Sequence, residues 1–161
     1  HSEVQDHRPE YTSLYGLGRL RIGYLTLEPV GRITGVDWRL DLWNAELRGT
    51  VTTSRGRIGL RAFIVGGRSL LVVALRPSAG ERDVRLRVRP AKALSPRVVR
   101  EDPPANFPLN PDPVTRQDGD ITLVEQAMVA GGQTATAYRQ RPERVFYLTV
   151  AHSHPEATAA A

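Results

Sequence analysis

The feature that most constrains this chain is a series of short runs in which apolar and polar residues alternate. These runs recur roughly every 8 to 12 residues, and turns containing Gly or Pro separate them, for example at residues 54–56 and 66–67. Alternation with a period of two is typical of strands, because successive side chains of a strand point to opposite faces of a sheet. Helical periodicity is nowhere sustained. The pattern therefore predicts an all-β fold, either an antiparallel β-sandwich or a barrel.

The clearest run is residues 36–42, which predicts a strand with one buried face and one solvated face. Asn44 and Ala45 then offer a tight reversal, and a β-branched run follows at residues 47–53, so the two runs predict a hairpin. Trp38 is expected in the hydrophobic core. The apolar side of the first strand consists of Val36, Trp38, Leu40 and Leu42, and its polar side consists of Asp37, Arg39 and Asp41.

The chain divides into one folded region and two short ends. Residues 14–151 are expected to form the sandwich, with a loose N-terminus at residues 1–13 and a C-terminal linker at residues 152–161. Within the sandwich, residues 69–75 are more continuously apolar and predict a central strand that is covered on both faces.

A proline-rich segment interrupts the strand pattern at residues 90–113. Because proline fixes φ and lacks an N–H donor, the segment predicts a long loop and excludes a central strand. A loop of this length is either functional, for instance at a domain interface, or an ordinary connection. Both interpretations stay open.

The charge balance bears on possible partners. The formal net charge is +5 and the pI is near 10.2, a balance that can indicate nucleic-acid binding. All but one of the 22 basic residues are Arg, however, and they are spread along the polar sides of the predicted strands. Solvated strand faces explain that distribution, so no nucleic-acid partner is predicted.

Two further compositional features exclude whole classes of protein. The longest apolar run, residues 70–75, is too short to span a bilayer, so no membrane partner is predicted. The absence of Cys excludes disulfides and thiolate metal sites. The compartment is not determined, and a secreted or periplasmic location stays open.

The carboxylates lack the arrangement that glycosidic hydrolysis requires, which is two carboxyl groups about 5–5.5 Å or about 6.5–9.5 Å apart. Asp37 and Asp41 share a strand face but lie roughly 13 Å apart at the rise of a strand. Asp118 and Asp120 flank Gly119, where Asp commonly hydrogen-bonds the backbone of a turn. We therefore predict no catalytic residue in this chain.

Candidate metal ligands are equally sparse. His152 and His154 have a spacing that zinc sites use, but no third ligand is close in the sequence. Oxygen ligands suited to Ca²⁺ are present without the spacing of an EF-hand loop. No Gly-rich phosphate loop stands between a strand and a helix. We predict no metal and no cofactor. The oxygen ligands are Asn110, Asp112, Asp118 and Asp120.

Trp43 is the most conspicuous candidate for binding. It breaks the alternation at the end of the predicted strand. An amphipathic indole there can stack on a sugar or pack on a neighbouring domain, and packing beneath a loop of the same domain is the alternative. Together with its sequence neighbours Arg39 and Asp41, Trp43 forms the candidate carbohydrate-binding or domain-interface site.

The order and spacing of residues 17–90 resemble a known domain. Residues 36–45 contain a Leu-Asp-Leu-x-x-Ala element at Leu40, Asp41, Leu42 and Ala45, and residues 17–20 read Leu-Gly-Arg-Leu. This pattern is similar to the N-terminal β-sandwich of glycoside hydrolase family 95, the α-L-fucosidase-like enzymes, and of the related family 65 group. Their corresponding segments read Leu-Gly-Asp-Leu and Tyr-Arg-Arg-x-Leu-Asp-Leu-x-x-Ala.

The resemblance implies a sandwich of galactose-mutarotase-like type that precedes an (α/α)6 catalytic barrel, and the barrel carries the acid and the base. The expected function is therefore that of a non-catalytic N-terminal domain of a bacterial glycoside hydrolase, which supports and shields the barrel. Its partner would be its own C-terminal catalytic domain, toward which residues 152–161 would lead. The alternative is a free-standing carbohydrate-binding or adhesion β-sandwich.

Overall fold

The computed structural model describes residues 20–100, 105–129 and 131–153, and these form an antiparallel β-structure. The predicted loose N-terminus (1–13), residues 17–19 of the Leu-Gly-Arg-Leu segment and residues 154–161 lie outside the described residues, whereas residues 152–153 of the predicted linker belong to the last strand. The elements are β1 (Arg21–Glu28), β2 (Ile33–Asp41), β3 (Glu46–Thr53), β4 (Gly56–Ile64), β5 (Leu70–Pro77), a 3₁₀ turn (Ala79–Glu81), β6 (Arg85–Leu94), α1 (Pro96–Arg100), β7 (Val114–Asp118), β8 (Ile121–Ala127), β9 (Gln133–Gln140) and β10 (Val145–Ser153).

The strands form two layers. Eight of them make one sheet in the order β2-β3-β4-β5-β10-β9-β8-β7, and β1 pairs with β6 in a two-stranded ribbon. Every pairing is antiparallel. The all-β antiparallel fold predicted from the alternation is therefore confirmed, and of the two open alternatives the structure is a sandwich.

The predicted turns lie where the sequence places them. The β2–β3 hairpin turns at residues 42–45, and Ala45 adopts a positive φ of 50° there. The β4–β5 hairpin turns at residues 66–67 with Gly67 at a φ of 69°, a conformation that costs Gly little. The predicted central strand is β5, and its adjacent residues Val72 and Val73 are both buried.

The hydrophobic core lies between the ribbon and the middle of the large sheet. Leu25 pairs with Val88 across the ribbon, and their apolar side chains pack against the core. Phe146 on β10 is 1% exposed, and Tyr138 stacks on it with ring centroids 5.7 Å apart. The ribbon therefore closes the sandwich over β5 and β10. The buried core residues are Val51, Ile58, Val73, Leu75, Val84, Leu86 and Phe146.

A buried carboxylate, Glu81, fastens three connections together at one end of the sandwich. It accepts hydrogen bonds from the backbone N–H of Val30 (2.7 Å) and of Gly31 (2.8 Å) and from the Thr53 hydroxyl. Burial by itself raises the pKa of Glu81, but these hydrogen bonds outweigh it and hold the pKa below its usual value of 4.5. One side chain thus joins the β1–β2, β3–β4 and β5–β6 connections.

The burial predicted for β2 is wrong. β2 is an edge strand, and its apolar side chains remain open to solvent, with Trp38 44% exposed and Leu40 64% exposed. The alternation itself is correct, because Val36 pairs with the core residue Val51 and shares its face. Leu42 lies in the turn and not in the strand. The apolar face exists, but no described residue of the ribbon covers it at this edge.

Residues 90–113 also differ from the single loop predicted for them. β6 continues through Pro90 to Leu94, and α1 follows. Pro90 is tolerated because β6 lies in a two-stranded ribbon, where each strand has an unpaired edge. Asn110 then fastens the described part of the loop to its own sandwich, since its side chain donates to the Ala93 carbonyl (2.7 Å) and accepts from the Val129 N–H (2.8 Å). These contacts favour the ordinary-connection interpretation.

Candidate binding surface on strands β2 to β5

The register of β2, β3 and β4 places three arginines side by side. Arg39 pairs with Arg48, and Arg48 pairs with Arg61. By alternation all three lie on the face of the sheet that points away from the core. Neighbouring strands are about 4.8 Å apart, so three positive charges occupy roughly 10 Å. Like charges at directly opposite positions destabilise a sheet, so this row requires compensation.

Glu46 provides part of that compensation. Its carboxylate is buried (2% exposed) and forms ion pairs with the Nε atoms of Arg48 and Arg61. The hydrogen bond from Arg61 is the main reason why the pKa of Glu46 is lowered; burial opposes the shift, and Arg48 adds to it. The Arg61 guanidinium also lies 5.2 Å from the centroid of the Phe63 ring. The guanidinium groups of Arg48 and Arg61 are therefore fixed in position by Glu46.

The remaining charges have no such partner. The side chains of Arg39 and of Arg76 on β5 form no hydrogen bond or ion pair with another described residue, and the same holds for the Asp37 carboxylate. The charge of Arg39 acts on Asp41, whose pKa it helps to lower. The register places Arg76 opposite Gly59, one rung of the sheet away from the arginine row. Of these four arginines, Arg48 and Arg61 are ion-paired with Glu46, whereas the side chains of Arg39 and Arg76 form no ion pair with a described residue.

These side chains surround a groove of about 600 Å³. Its rim consists of the four arginines and Asp37. Between them lie small residues that leave the space open, among them Thr50, Gly59 and Ala74. The groove therefore combines a cationic rim with a carboxylate and a hydroxyl group.

Trp43 lies at the tip of the β2–β3 hairpin and is 95% exposed. Packing beneath a loop is therefore excluded within the described residues. Asp41 holds the tip in shape by accepting hydrogen bonds from the N–H groups of Trp43 and Asn44 (both 3.1 Å) and from the Asn44 side chain (2.9 Å). The side-chain hydrogen bond from Asn44 is the largest cause of the lowered pKa of Asp41. Asp41 thus has a structural role here.

An apolar surface extends from this hairpin tip along β2, on the face of the sheet that is opposite to the arginine groove. We call it the uncovered face, and it consists of Val36, Trp38, Leu40, Leu42, Trp43 and Ile64, which are between 44% and 95% exposed. The Trp38 ring lies directly on Gly49, where an added Cβ would approach its Cε3 atom to 2.6 Å. Gly49 therefore lets the indole lie flat on the sheet at the centre of this surface.

The other carboxylates and histidines do not form a second site. Asp118 and Asp120 flank Gly119 in the β7–β8 turn. The Oδ2 atom of Asp120 lies 3.5 Å from the Nη1 atom of Arg139, so these two side chains form an ion pair. Within the described residues, no group of three or more His, Asp or Glu side chains is arranged to hold a metal ion. In the same part of the chain, no helix is both long enough and apolar enough to cross a membrane.

The three site residues predicted from the sequence lie next to one another, since the charge of Arg39 acts on Asp41 and Asp41 accepts a hydrogen bond from Trp43, but they serve two different surfaces. Arg39 lines the groove, whereas Asp41 and Trp43 belong to the hairpin tip. The sequence interpretation missed Arg48, Arg61 and Arg76. The hairpin turns contain the missing signal, because Arg39 and Arg48 are equally far from the β2–β3 turn and Arg48 and Arg61 are equally far from the β3–β4 turn.

Comparison with known proteins assigns this surface to no family. A scan against protein-family models and a search of curated proteins each find no match for this chain. What supports a function is therefore the fold, the two surfaces described above and the motif of residues 36–45.

Proposed function

We propose that this chain is a non-catalytic β-sandwich domain of a bacterial glycoside hydrolase, and that its uncovered face docks on the (α/α)6 catalytic barrel of the same protein. The observation that carries the proposal is the uncovered face itself. Single exposed apolar residues are ordinary on a protein surface, but a contiguous apolar patch marks an interaction site. Here the patch continues the core face of the sheet beyond the edge of the ribbon.

The composition of the uncovered face suits a domain interface. Its two tryptophans are large, rigid side chains of the type that contributes most to binding at interfaces. Polar residues lie on the other side of the same strand, with Asp37 and Arg39 both exposed. An interface there would cover the apolar side and leave the polar side in water. The resemblance supports the same location, because its most specific motif, Leu40-Asp41-Leu42 with Ala45, forms this hairpin.

Hydrogen exchange tests the docking role directly. The backbone amides of β2 and β3 should exchange more slowly in the protein that contains the barrel than in this chain by itself. Leu42→Ser on the uncovered face should remove most of that protection in the longer protein. The matched control is Leu109→Ser, which changes an exposed leucine elsewhere on the surface and should leave the protection intact. Equal exchange of β2 and β3 with and without the barrel would refute docking through this face.

One observation favours the carbohydrate-binding alternative as a second candidate. Trp43 presents almost its whole indole to solvent on a turn that Asp41 fixes, and such a ring can stack on a sugar. A titration with neutral oligosaccharides separates the two roles. Saturable binding in a calorimetric titration that Trp43→Phe preserves and Trp43→Ala abolishes would support sugar binding by the isolated chain, whereas the docking role expects no binding.

A further inference from the structure

We propose that the arginine groove on β2 to β5 is a binding site for acidic saccharides, whose sugar units carry carboxylate groups. The site lies on the face of the sheet opposite to the uncovered face, so a ligand in the groove and a domain on the uncovered face can be bound together. The proposal depends on the groove alone and goes beyond the docking role.

The charge balance of the groove calls for an anion. Four arginines line it, and the two carboxylates, Asp37 on the rim and Glu46 beside Arg48 and Arg61, offset only half of their charge. Arg39 stands directly opposite Arg48 without an ion-pair partner among the described residues, and Arg76 also lacks one. Like charges facing each other across strands are unfavourable, so an anion that binds between them removes a repulsion as well as adding an attraction.

The arginines are also oriented for recognition. Glu46 engages the Nε atoms of Arg48 and Arg61, which leaves the terminal nitrogens of both guanidinium groups available. Phe63 supports the Arg61 guanidinium from one side. A planar guanidinium binds a carboxylate through two parallel hydrogen bonds, and holding it in advance reduces the entropy lost on binding.

The other lining groups favour a sugar over a nucleic acid. Asp37 and Thr50 add an unpaired carboxylate and a hydroxyl group that can accept hydrogen bonds from sugar hydroxyls. None of the lining residues is aromatic, whereas sites for single-stranded nucleic acid stack bases on aromatic rings. A groove of about 600 Å³ suits a ligand of small-molecule or short-oligomer size.

Calorimetric titration of this chain with tetragalacturonate tests the proposal, with maltotetraose as the neutral probe. We expect saturable binding of tetragalacturonate that weakens as ionic strength rises, and no binding of maltotetraose. Arg39→Gln and Arg76→Gln should each weaken binding by roughly tenfold or more, the effect of losing a hydrogen bond to a charged group. The matched control is Arg85→Gln on the ribbon, which removes an equally exposed arginine outside the groove and should not change the affinity.

Three results would overturn the proposal. The first is the absence of saturable binding to tetragalacturonate at low ionic strength. The second is an equal loss of affinity in the Arg85→Gln variant, since the attraction would then be a property of the net charge alone. The third is tighter, Arg39-dependent binding of a single-stranded DNA oligonucleotide, which would make the groove a nucleic-acid site. None of these results depends on whether the uncovered face docks on a barrel.

Discussion

The two halves of one sheet face have the same sequence pattern and opposite environments. On β5 and β10 the inward side chains are buried, with Val73 3% exposed and Phe146 1% exposed. On β2 the residues that share this face stay open, with Val36 50% exposed and Leu40 64% exposed. Alternation thus records that a strand has an apolar side. The pattern does not indicate whether another part of the same chain packs on that side.

The difference follows from the widths of the two layers. Eight strands at a spacing of about 4.8 Å extend over roughly 34 Å, whereas the two strands of the ribbon are a single spacing apart. The ribbon packs where Leu25 and Val88 meet Phe146 and its neighbours, and it is too narrow to reach the β2 edge as well. The covered half therefore provides stability, and the uncovered half is available for a partner.

The largest expected effect comes from the covered half. Phe146→Ala should reduce the free energy of unfolding by about 3–5 kcal/mol, because it leaves a cavity beneath the ribbon and removes the ring that Tyr138 stacks on. Urea denaturation followed by circular dichroism measures the change. Trp43→Ala is the matched control, since it truncates an aromatic ring that is 95% exposed, and we expect a change within about 0.5 kcal/mol. Similar decreases in the free energy of unfolding for the two variants would show that the covered and uncovered halves contribute equally to stability.

An intermediate effect is expected at Glu81, which closes the end of the covered half. In Glu81→Gln an amide NH₂ would face one of the N–H donors of Val30 and Gly31, so at least one buried donor loses its acceptor. The cost should be about 1–3 kcal/mol at neutral pH.

The pH dependence of the unfolding free energy tests whether Glu81 stabilises the covered half through its charge. Because the folded pKa of Glu81 lies below 4.5, the unfolded state binds more protons, and the contribution of Glu81 is lost as pH falls from 4.5 through the folded pKa. The difference in unfolding free energy between wild type and Glu81→Gln should therefore be largest near neutral pH and shrink in acid. A difference that is constant with pH would mean that the pKa of Glu81 is the same in the folded and unfolded states, and a difference that grows in acid would mean that the folded state raises it.

The sequence predicts the local features of this fold well. The turns at residues 54–56 and 66–67 depend on neighbouring residues, and so does the alternation of β2, β4 and β6, which is why these features were correct. β7 was missed because its five residues, Val114–Asp118, are all exposed and show no alternation.

Contacts between distant parts of the chain were much harder to predict. Trp38 was expected in the core because its strand alternates, yet only the width of the ribbon determines whether that strand is covered. Glu81 gave no signal, since a glutamate is rarely buried and its partners lie about 28 to 51 residues away. Arg39 was a candidate because it is close to Trp43, whereas its relevant neighbours are the arginines that the strand register brings beside it.

The smallest expected effect lies on the uncovered face. Leu40→Ser should lower the free energy of unfolding of this chain by less than about 1 kcal/mol, because the Leu40 side chain is already 64% exposed. Ile58→Ala on the covered half should cost about 2–5 kcal/mol, since Ile58 is fully buried in the same sheet. Both changes remove a branched aliphatic side chain from the same sheet face, and the expected costs differ because Ile58 is covered and Leu40 is not.

A large decrease in the free energy of unfolding of Leu40→Ser would contradict the expected difference between the covered and uncovered halves. It would mean that something covers Leu40 in solution, either a second copy of the chain or a part of the chain outside the described residues. Unfolding measured over a range of protein concentrations separates these cases, because only a second copy makes the cost depend on concentration. A small cost at every concentration leaves the uncovered face open in the isolated chain, as docking on a separate domain requires.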